Sequence, residues 1–311
     1  MSPAKLIVVW RVYEYCNLSC EFCAYSAALA RSRRIVEVPT LVRFGECLRE
    51  YQQRFGSPVH VSWLGGEPLL WRDWRTVSQI FAQDFGLRLG LTTNGIPLAD
   101  EKIRAGLREH YEQVTVSIDG FAEVHDRYRQ APGLFERLRN AVALWQSEDV
   151  ERRVLLRVNT ILMRENIAAF PQFCREMAAW GFHELTFNQL GGLDRPEFYP
   201  DHRLLPAQVE QFTQELPSLR AELADRGFQI RGTERYLERI AATTNGQKIP
   251  IADCAPGTRF LFIDELGRVS PCSFTPEIYG ISLGELQTAD DIANLPNKFR
   301  ALRLQQHSPA C

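Results

Sequence analysis

The stretch Tyr15-Cys16-Asn17-Leu18-Ser19-Cys20-Glu21-Phe22-Cys23 places three cysteines in a CxxxCxxC spacing, directly after an apolar run over residues 6–13. Three thiolates on so short a loop can hold three irons of a [4Fe–4S] cluster and leave the fourth iron without a protein ligand. An iron open to a small molecule suits a catalytic cluster, whereas a purely electron-carrying cluster usually has four cysteines. Zinc also takes thiolates, but structural zinc sites pair two short knuckles into a closed tetrahedron, and no second knuckle accompanies this one. A disulfide framework belongs to short secreted chains and does not suit 311 residues without a signal-peptide pattern.

Around that loop, short β-rich runs alternate with longer helical patterns up to about residue 190. Strands are predicted over 6–13, 59–64, 87–93, 113–118, 154–161 and 184–189, and helices near 40–55, 72–85, 99–109, 133–147 and 166–180. Several strands read as continuous apolar runs, as strands buried on both faces do. The alternation implies parallel strands with right-handed crossovers, hence an α/β fold. Six units predict a partial (β/α)6 barrel of the TIM type, since eight would need more chain. In such barrels the loops after the strands carry the chemistry. The cysteine loop, Gly65-Gly66-Glu67-Pro68, Thr93-Asn94-Gly95 and Ser117-Ile118-Asp119-Gly120 each end one of the first four strands.

Beyond residue 190 a Gly/Pro-punctuated loop over 191–206 leads to a predicted helix at 206–226 and a short strand at 228–231. Residues 259–263 and 268–271 read as a β-hairpin, and a helix is expected near 290–305. The expected organisation is a core barrel over 1–190, connecting loop and helices over 191–250, and a small hairpin-plus-helix annex over 251–311. Net charge is −2, so no basic field points to nucleic acid or anionic lipid. No apolar segment approaches a membrane span, and cysteine-rich thiolate sites suit a reducing cytoplasm.

The cysteine loop together with Gly65-Gly66-Glu67-Pro68 resembles the radical S-adenosylmethionine (radical SAM) superfamily. The resemblance implies that Cys16, Cys20 and Cys23 hold a [4Fe–4S] cluster whose open iron chelates S-adenosylmethionine (AdoMet). One electron from the cluster would cleave AdoMet to a 5′-deoxyadenosyl radical, which abstracts a substrate hydrogen atom. Phe22 would hold adenine or shield the cluster. Gly65, Gly66 and Glu67 would take the AdoMet ammonium group through exposed carbonyls and the Glu67 carboxylate. Asn94 and Ser117 would hydrogen-bond its carboxylate or ribose, and Asp119 would contact ribose or substrate, or cap a turn. Arg157 and Asn159 would face the same site if their strand alternates, with Leu162 and Met163 against adenine; interior packing is the alternative. Arg127-Tyr128-Arg129 resembles the family's HDxxR stretch, near the barrel mouth or in a salt-bridged loop, and His125 reads as a surface loop residue.

Cys254-Ala255-Pro256-Gly257, the hairpin with Asp264 and Gly267, and Ser270-Pro271-Cys272 resemble the SPASM/twitch extension of radical SAM enzymes. This implies an auxiliary [4Fe–4S] cluster held by Cys254, Cys272 and Cys311. The family usually adds a further cysteine pair. The sequence reads as trimmed after Cys311, the alternative being a three-ligand cluster. Cys47 and Cys174, inside helix patterns, read as small buried apolar residues.

The expected enzyme crosslinks or oxidises a ribosomally made peptide, with a separate peptide-recognition protein as a partner. A small-molecule dehydrogenase acting on a cyclitol or amino sugar is the near alternative, followed by a peptide epimerase. A non-catalytic iron–sulfur scaffold would require a broken motif, and none is broken. A reduced flavodoxin or ferredoxin would supply the electron.

Overall fold

Val-, Leu- and Ile-rich strands run parallel where the sequence places them: β1 (Leu6–Tyr13), β2 (Val59–Gly65), β3 (Arg88–Thr93), β4 (Gln113–Ser117), β5 (Leu155–Leu162) and β6 (Glu184–Gln189). The computed structural model describes residues 5–23, 36–149, 151, 153–192, 195–247, 249 and 254–308. The helices Val38–Phe55, Trp74–Gln79 with its continuation Ile80–Asp84, Glu101–His110, Leu134–Glu148 and Phe170–Ala179 connect them. Two further parallel strands extend the sheet, β7 (Gln229–Ile230) beside β6 and β8 (Phe260–Ile263) beside β1. Antiparallel β9 (Arg268–Ser270) and β10 (Ile281–Ser282) complete an open sheet, order β10-β9-β8-β1-β2-β3-β4-β5-β6-β7. The C-terminal hairpin is therefore continuous with the barrel sheet.

Strand alternation sorts side chains into two environments. On β5 the residues Leu156, Val158, Thr160 and Leu162 are buried, while Leu155, Arg157, Asn159 and Ile161 are half-buried on the other face. The first face packs on the helices. There Trp10 meets Phe44 edge-on at 5.6 Å, and Trp63 meets Phe81 at 5.1 Å. The opposite, inner face is polar: cross-strand register puts Thr115, Arg157 and Glu184 in one row and Ser117, Asn159 and Thr186 in the next. Among the described residues no helix is long and apolar enough to cross a membrane.

Two helices depart from the sequence reading. Residues 122–129, expected as a loop, form the helix Ala122–Arg129, and His125 is fully buried rather than on a surface. Val124 and Tyr128 are four apart and share a helix face, while His125 turns inward to accept the Asp119 N–H at 3.1 Å. Burial holds its imidazole well below the usual range. The helix Glu234–Thr244, capped by the Thr233 side chain accepting from the Tyr236 N–H, was not anticipated. Cys47 and Cys174 are buried.

His60, on the inner face of β2, is 5 % exposed, and its Nδ1 has no hydrogen-bond partner. Its ring lies so close to Gly90 that a Cβ there would come within 2.7 Å of Nε2. Burial, reinforced by Lys5, Arg157 and Arg88, lowers its pKa to about 4. The unfolded chain then binds the proton more readily, so the stability is present above the unfolded value near 6.5 and is lost as pH falls towards about 4. The loss reaches about 2–3 kcal/mol across that window. Denaturant melts from pH 7 to pH 4 are expected to show a shallower decline for His60→Gln than for the wild type; equal slopes would contradict this assignment.

Candidate active site at the strand C-termini

The exit of β1 and the end of β2 lie against each other with no room for side chains. Gly66 N–H donates to the Tyr13 carbonyl at 2.7 Å and Glu67 N–H to that of Tyr15 at 2.8 Å. A Cβ on Gly65 would stand 2.4 Å from the Tyr13 oxygen, and one on Gly66 would stand 2.3 Å from the Tyr15 oxygen. Both glycines are therefore required by an internal neighbour, the chain leading into the cysteine loop.

Glu67 differs from its expected role. Its side chain is fully buried, and three donors occupy the carboxylate: Thr93 hydroxyl at 2.8 Å, Asn94 N–H at 2.7 Å and Leu69 N–H at 3.1 Å. Burial raises its pKa to about 7, opposed by those bonds. A carboxylate so enclosed fixes the β2 and β3 ends and has no oxygen turned to an outside ammonium group. It holds Asn94, whose Nδ2 donates to Asn17 Oδ1 at 2.8 Å and lies 3.8 Å from the Cys16 sulfur. Asn94 thus sits directly beside the cysteine loop.

The loop itself turns tightly, with Cys23 N–H bonded to the Cys20 carbonyl at 3.2 Å. Cys20 is buried, and Cys16 and Cys23 are half-buried. Burial pushes the Cys20 thiol up to about 12 and raises Cys16 as well, with the neighbouring thiols adding to both. Phe22 packs at the edge of the apolar group Tyr128, Met163, Leu190 and Phe198, together with Ile161. Strand parity explains the correction at Leu162: it is fully buried in the main core, whereas Ile161 and Met163 reach the Phe22 side.

Asp119 also departs from expectation. It is completely buried and paired with Arg129, with its other oxygen accepting the Ile161 N–H at 2.9 Å, so both oxygens are engaged within the protein. Ser117 stands opposite Asn159 in register, and Asn159 Oδ1 accepts from Thr186 and Asn188 at 3.1 Å each. These two expected residues do come together on the inner face. Arg157 is on that face too, but its guanidinium is engaged by Glu184, which also pairs with Arg231. It is one row nearer the strand N-termini than Asn159, so it belongs to an internal ion-pair network and not to the cysteine-loop end.

Sequence reasoning missed Arg11 and Glu265, an almost buried ion pair joining the inner face of β1 to the turn of the C-terminal hairpin. Alternation along β1 would have placed Arg11 inward, but nothing local identified its partner 254 residues away. In the C-terminal region, Cys254 is exposed with its sulfur 3.3 Å from Arg303 Nη1, and the sulfur of half-buried Cys272 is 3.3 Å from the Thr275 hydroxyl. Cys311 lies outside the described residues, as does Tyr25.

Among the described residues no three His, Cys, Asp or Glu side chains converge as a site for one metal ion. A four-iron cluster asks for something else: three sulfurs on one loop, each taking a different iron. Cys16, Cys20 and Cys23 supply that donor set, electrostatically coupled to one another, with an amide N–H of Asn94 directed at one sulfur. The donor chemistry fits.

Known proteins agree with this geometry. The family description Radical SAM superfamily matches residues 10–177, more than half of the chain, and the chain belongs to that superfamily. Its members use a [4Fe–4S] cluster and AdoMet, so this is a radical SAM enzyme. Over 296 residues it is 27% identical to the AdoMet-dependent heme synthase of Methanosarcina barkeri (strain Fusaro / DSM 804), covering 90% of this chain and 80% of that protein. It is 30% identical over 168 residues to the Fe-coproporphyrin III synthase of the same organism, covering 53% of this chain and 40% of that one. Native anSMEcpe with bound AdoMet and Cp18Cys peptide shares the fold, with TM-score 0.69 at 18% identity over 96% of this chain and 82% of that one.

Glu67→Gln turns one acceptor oxygen into an NH2 group facing an N–H donor. It is expected to cost about 1–3 kcal/mol of stability and to weaken AdoMet binding by loosening Asn94. Denaturant unfolding and equilibrium binding check this; wild-type values in both would refute the positioning role of Glu67.

Proposed function

We propose that this enzyme oxidises a side chain of an iron-tetrapyrrole heme precursor by hydrogen-atom abstraction. The observation that carries the reading is the similarity to a heme synthase over nine-tenths of the chain. With both groups bound, the chemistry supplied at the cysteine loop is one-electron cleavage of AdoMet to a carbon radical. In this reading Cys16, Cys20 and Cys23 bind the iron–sulfur centre, and Phe22 covers the adenine side. Backbone groups of Gly65 and Gly66, with Asn94, Ser117 and Asn159, orient AdoMet. The polar inner face, with Thr186 and Asn188 beside Asn159, lies next to the site where substrate enters.

An auxiliary [4Fe–4S] cluster bound through Cys254 and Cys272 would accept the second electron of a two-electron oxidation. Its third ligand would come from Cys311. Cys254 precedes β8 and Cys272 follows antiparallel β9, so the two cysteines flank the same end of the hairpin, the end opposite its turn. The electron for AdoMet cleavage would come from a reduced flavodoxin or ferredoxin in the cytoplasm.

The earlier expectation of a peptide substrate becomes the second reading, favoured by the shared fold with anSMEcpe, whose structure holds a peptide. A separate recognition protein would then deliver the peptide.

The test is anaerobic. Reconstituted enzyme, AdoMet and dithionite are incubated with iron coproporphyrin III or with short synthetic peptides, and 5′-deoxyadenosine and product masses are measured. The tetrapyrrole is expected to raise 5′-deoxyadenosine at least tenfold and to change mass, with Cys20→Ala giving neither. Turnover with peptides and none with the tetrapyrrole would overturn the first reading in favour of the second.

A further inference from the structure

Directly behind the cysteine loop is a charged pair that the site described above does not use. Arg129 ends the helix Ala122–Arg129, and its side chain is 8 % exposed. Its Nε and Nη2 donate to Asp119 Oδ2 at 2.8 and 2.7 Å. Asp119, fully buried, is fixed in turn by the Ile161 N–H, so the carboxylate is anchored on the β5 side. The guanidinium carbon lies 5.7 Å from the centre of the Phe22 ring, between Cys20 and Cys23 in the chain. One residue earlier, the Tyr128 carbonyl accepts the Glu21 N–H at 2.9 Å, so the same helix end holds the loop backbone.

The pair is therefore oriented, with its cation towards the loop and its anion away. Both charges are buried, where screening is weak and a nearby cation acts strongly on any added negative charge. Hydrogen bonding and charge around a cluster are among the factors that set its potential.

We infer that Arg129 is a positioning residue for the redox state of the N-terminal centre: its charge, turned towards Cys20 and Cys23 by Asp119, makes that centre easier to reduce. The inference rests on those cysteines holding the cluster and concerns no particular substrate. Reduction adds one negative charge beside the three thiolates, and a fixed guanidinium stabilises that state more than the oxidised one. An ion pair that merely fastened the helix to β5 would leave the potential unchanged.

The experiment uses the full chain reconstituted anaerobically, with iron and sulfide counted for each variant. The reduced fraction is followed by electron paramagnetic resonance against applied potential, using the signal that AdoMet perturbs. Arg129→Gln is expected to lower the reduced-to-oxidised ratio at a fixed potential about tenfold, equivalent to about 59 mV for one electron. Arg129→Lys, which keeps the charge, is expected to stay within about threefold of wild type. Because Arg129→Gln leaves Asp119 buried and unpaired, the double variant Asp119→Asn/Arg129→Gln decides the matter if the single one does not load. It is expected to be harder to reduce than wild type, by less than the single variant. A fully loaded Gln or double variant with the wild-type ratio would overturn the inference, as would a Lys variant that falls as far as Gln. Wild-type protein that binds no iron at these cysteines would instead overturn the cluster assignment and the inference with it.

Discussion

The carboxylate of Glu67 is the constraint on which the site depends. It is sealed from solvent and accepts hydrogen bonds from two strand ends, through Leu69 on one side and Thr93 and Asn94 on the other. In the interior each such bond matters more than at a surface, because a donor left without it has no water to turn to. The two glycines before Glu67 let the β1 exit lie flat on the same point. Backbone and one buried acid thus set the direction in which the cysteine loop leaves the sheet. The loop's placement is a property of the barrel before any cofactor is considered.

The strands and most helices were legible because their signals are local: apolar runs, alternation and turn residues. The cysteine spacing was legible for the same reason. Partners distant in sequence were not. Glu67 and Asp119 looked like ligand-facing acids, since a carboxylate at a strand end is as suitable for a ligand as for a buried cap. Only the fold shows that Thr93 and Arg129 occupy them. Leu162 was misplaced by one step of strand parity, which moves a side chain from one face of a sheet to the other. The helix at 122–129 was hidden by its charges, of which Glu123 and Arg127 are exposed and Arg129 is buried, and His125 looked exposed for the same reason.

Polarity divides the two faces of the sheet by purpose. The outer face is packed with Trp10, Trp63, Phe44 and Phe81, and it supplies stability. The inner face carries Asn159, Thr186 and Asn188 near one end and the Arg157–Glu184–Arg231 network towards the other. Apolar residues would fill such a space and close it. Hydrogen-bonded amides and ion pairs keep their shape while leaving room, and fixed dipoles in place of mobile water suit a site in which a reactive radical must meet one partner only.

The parallel pairing of β8 with β1 joins residues near opposite ends of the chain, Ile7 with Phe260 and Trp10 with Ile263. During synthesis β1 leaves the ribosome first, and its outer edge waits for about 250 further residues, roughly 12–50 s at ordinary elongation rates. Over that interval the cysteine loop is attached to a strand with one side unpaired, and Arg11 has yet to meet Glu265. Iron–sulfur assembly machinery therefore meets a half-built doorway, and a segment translated long after the loop is the one that shuts it.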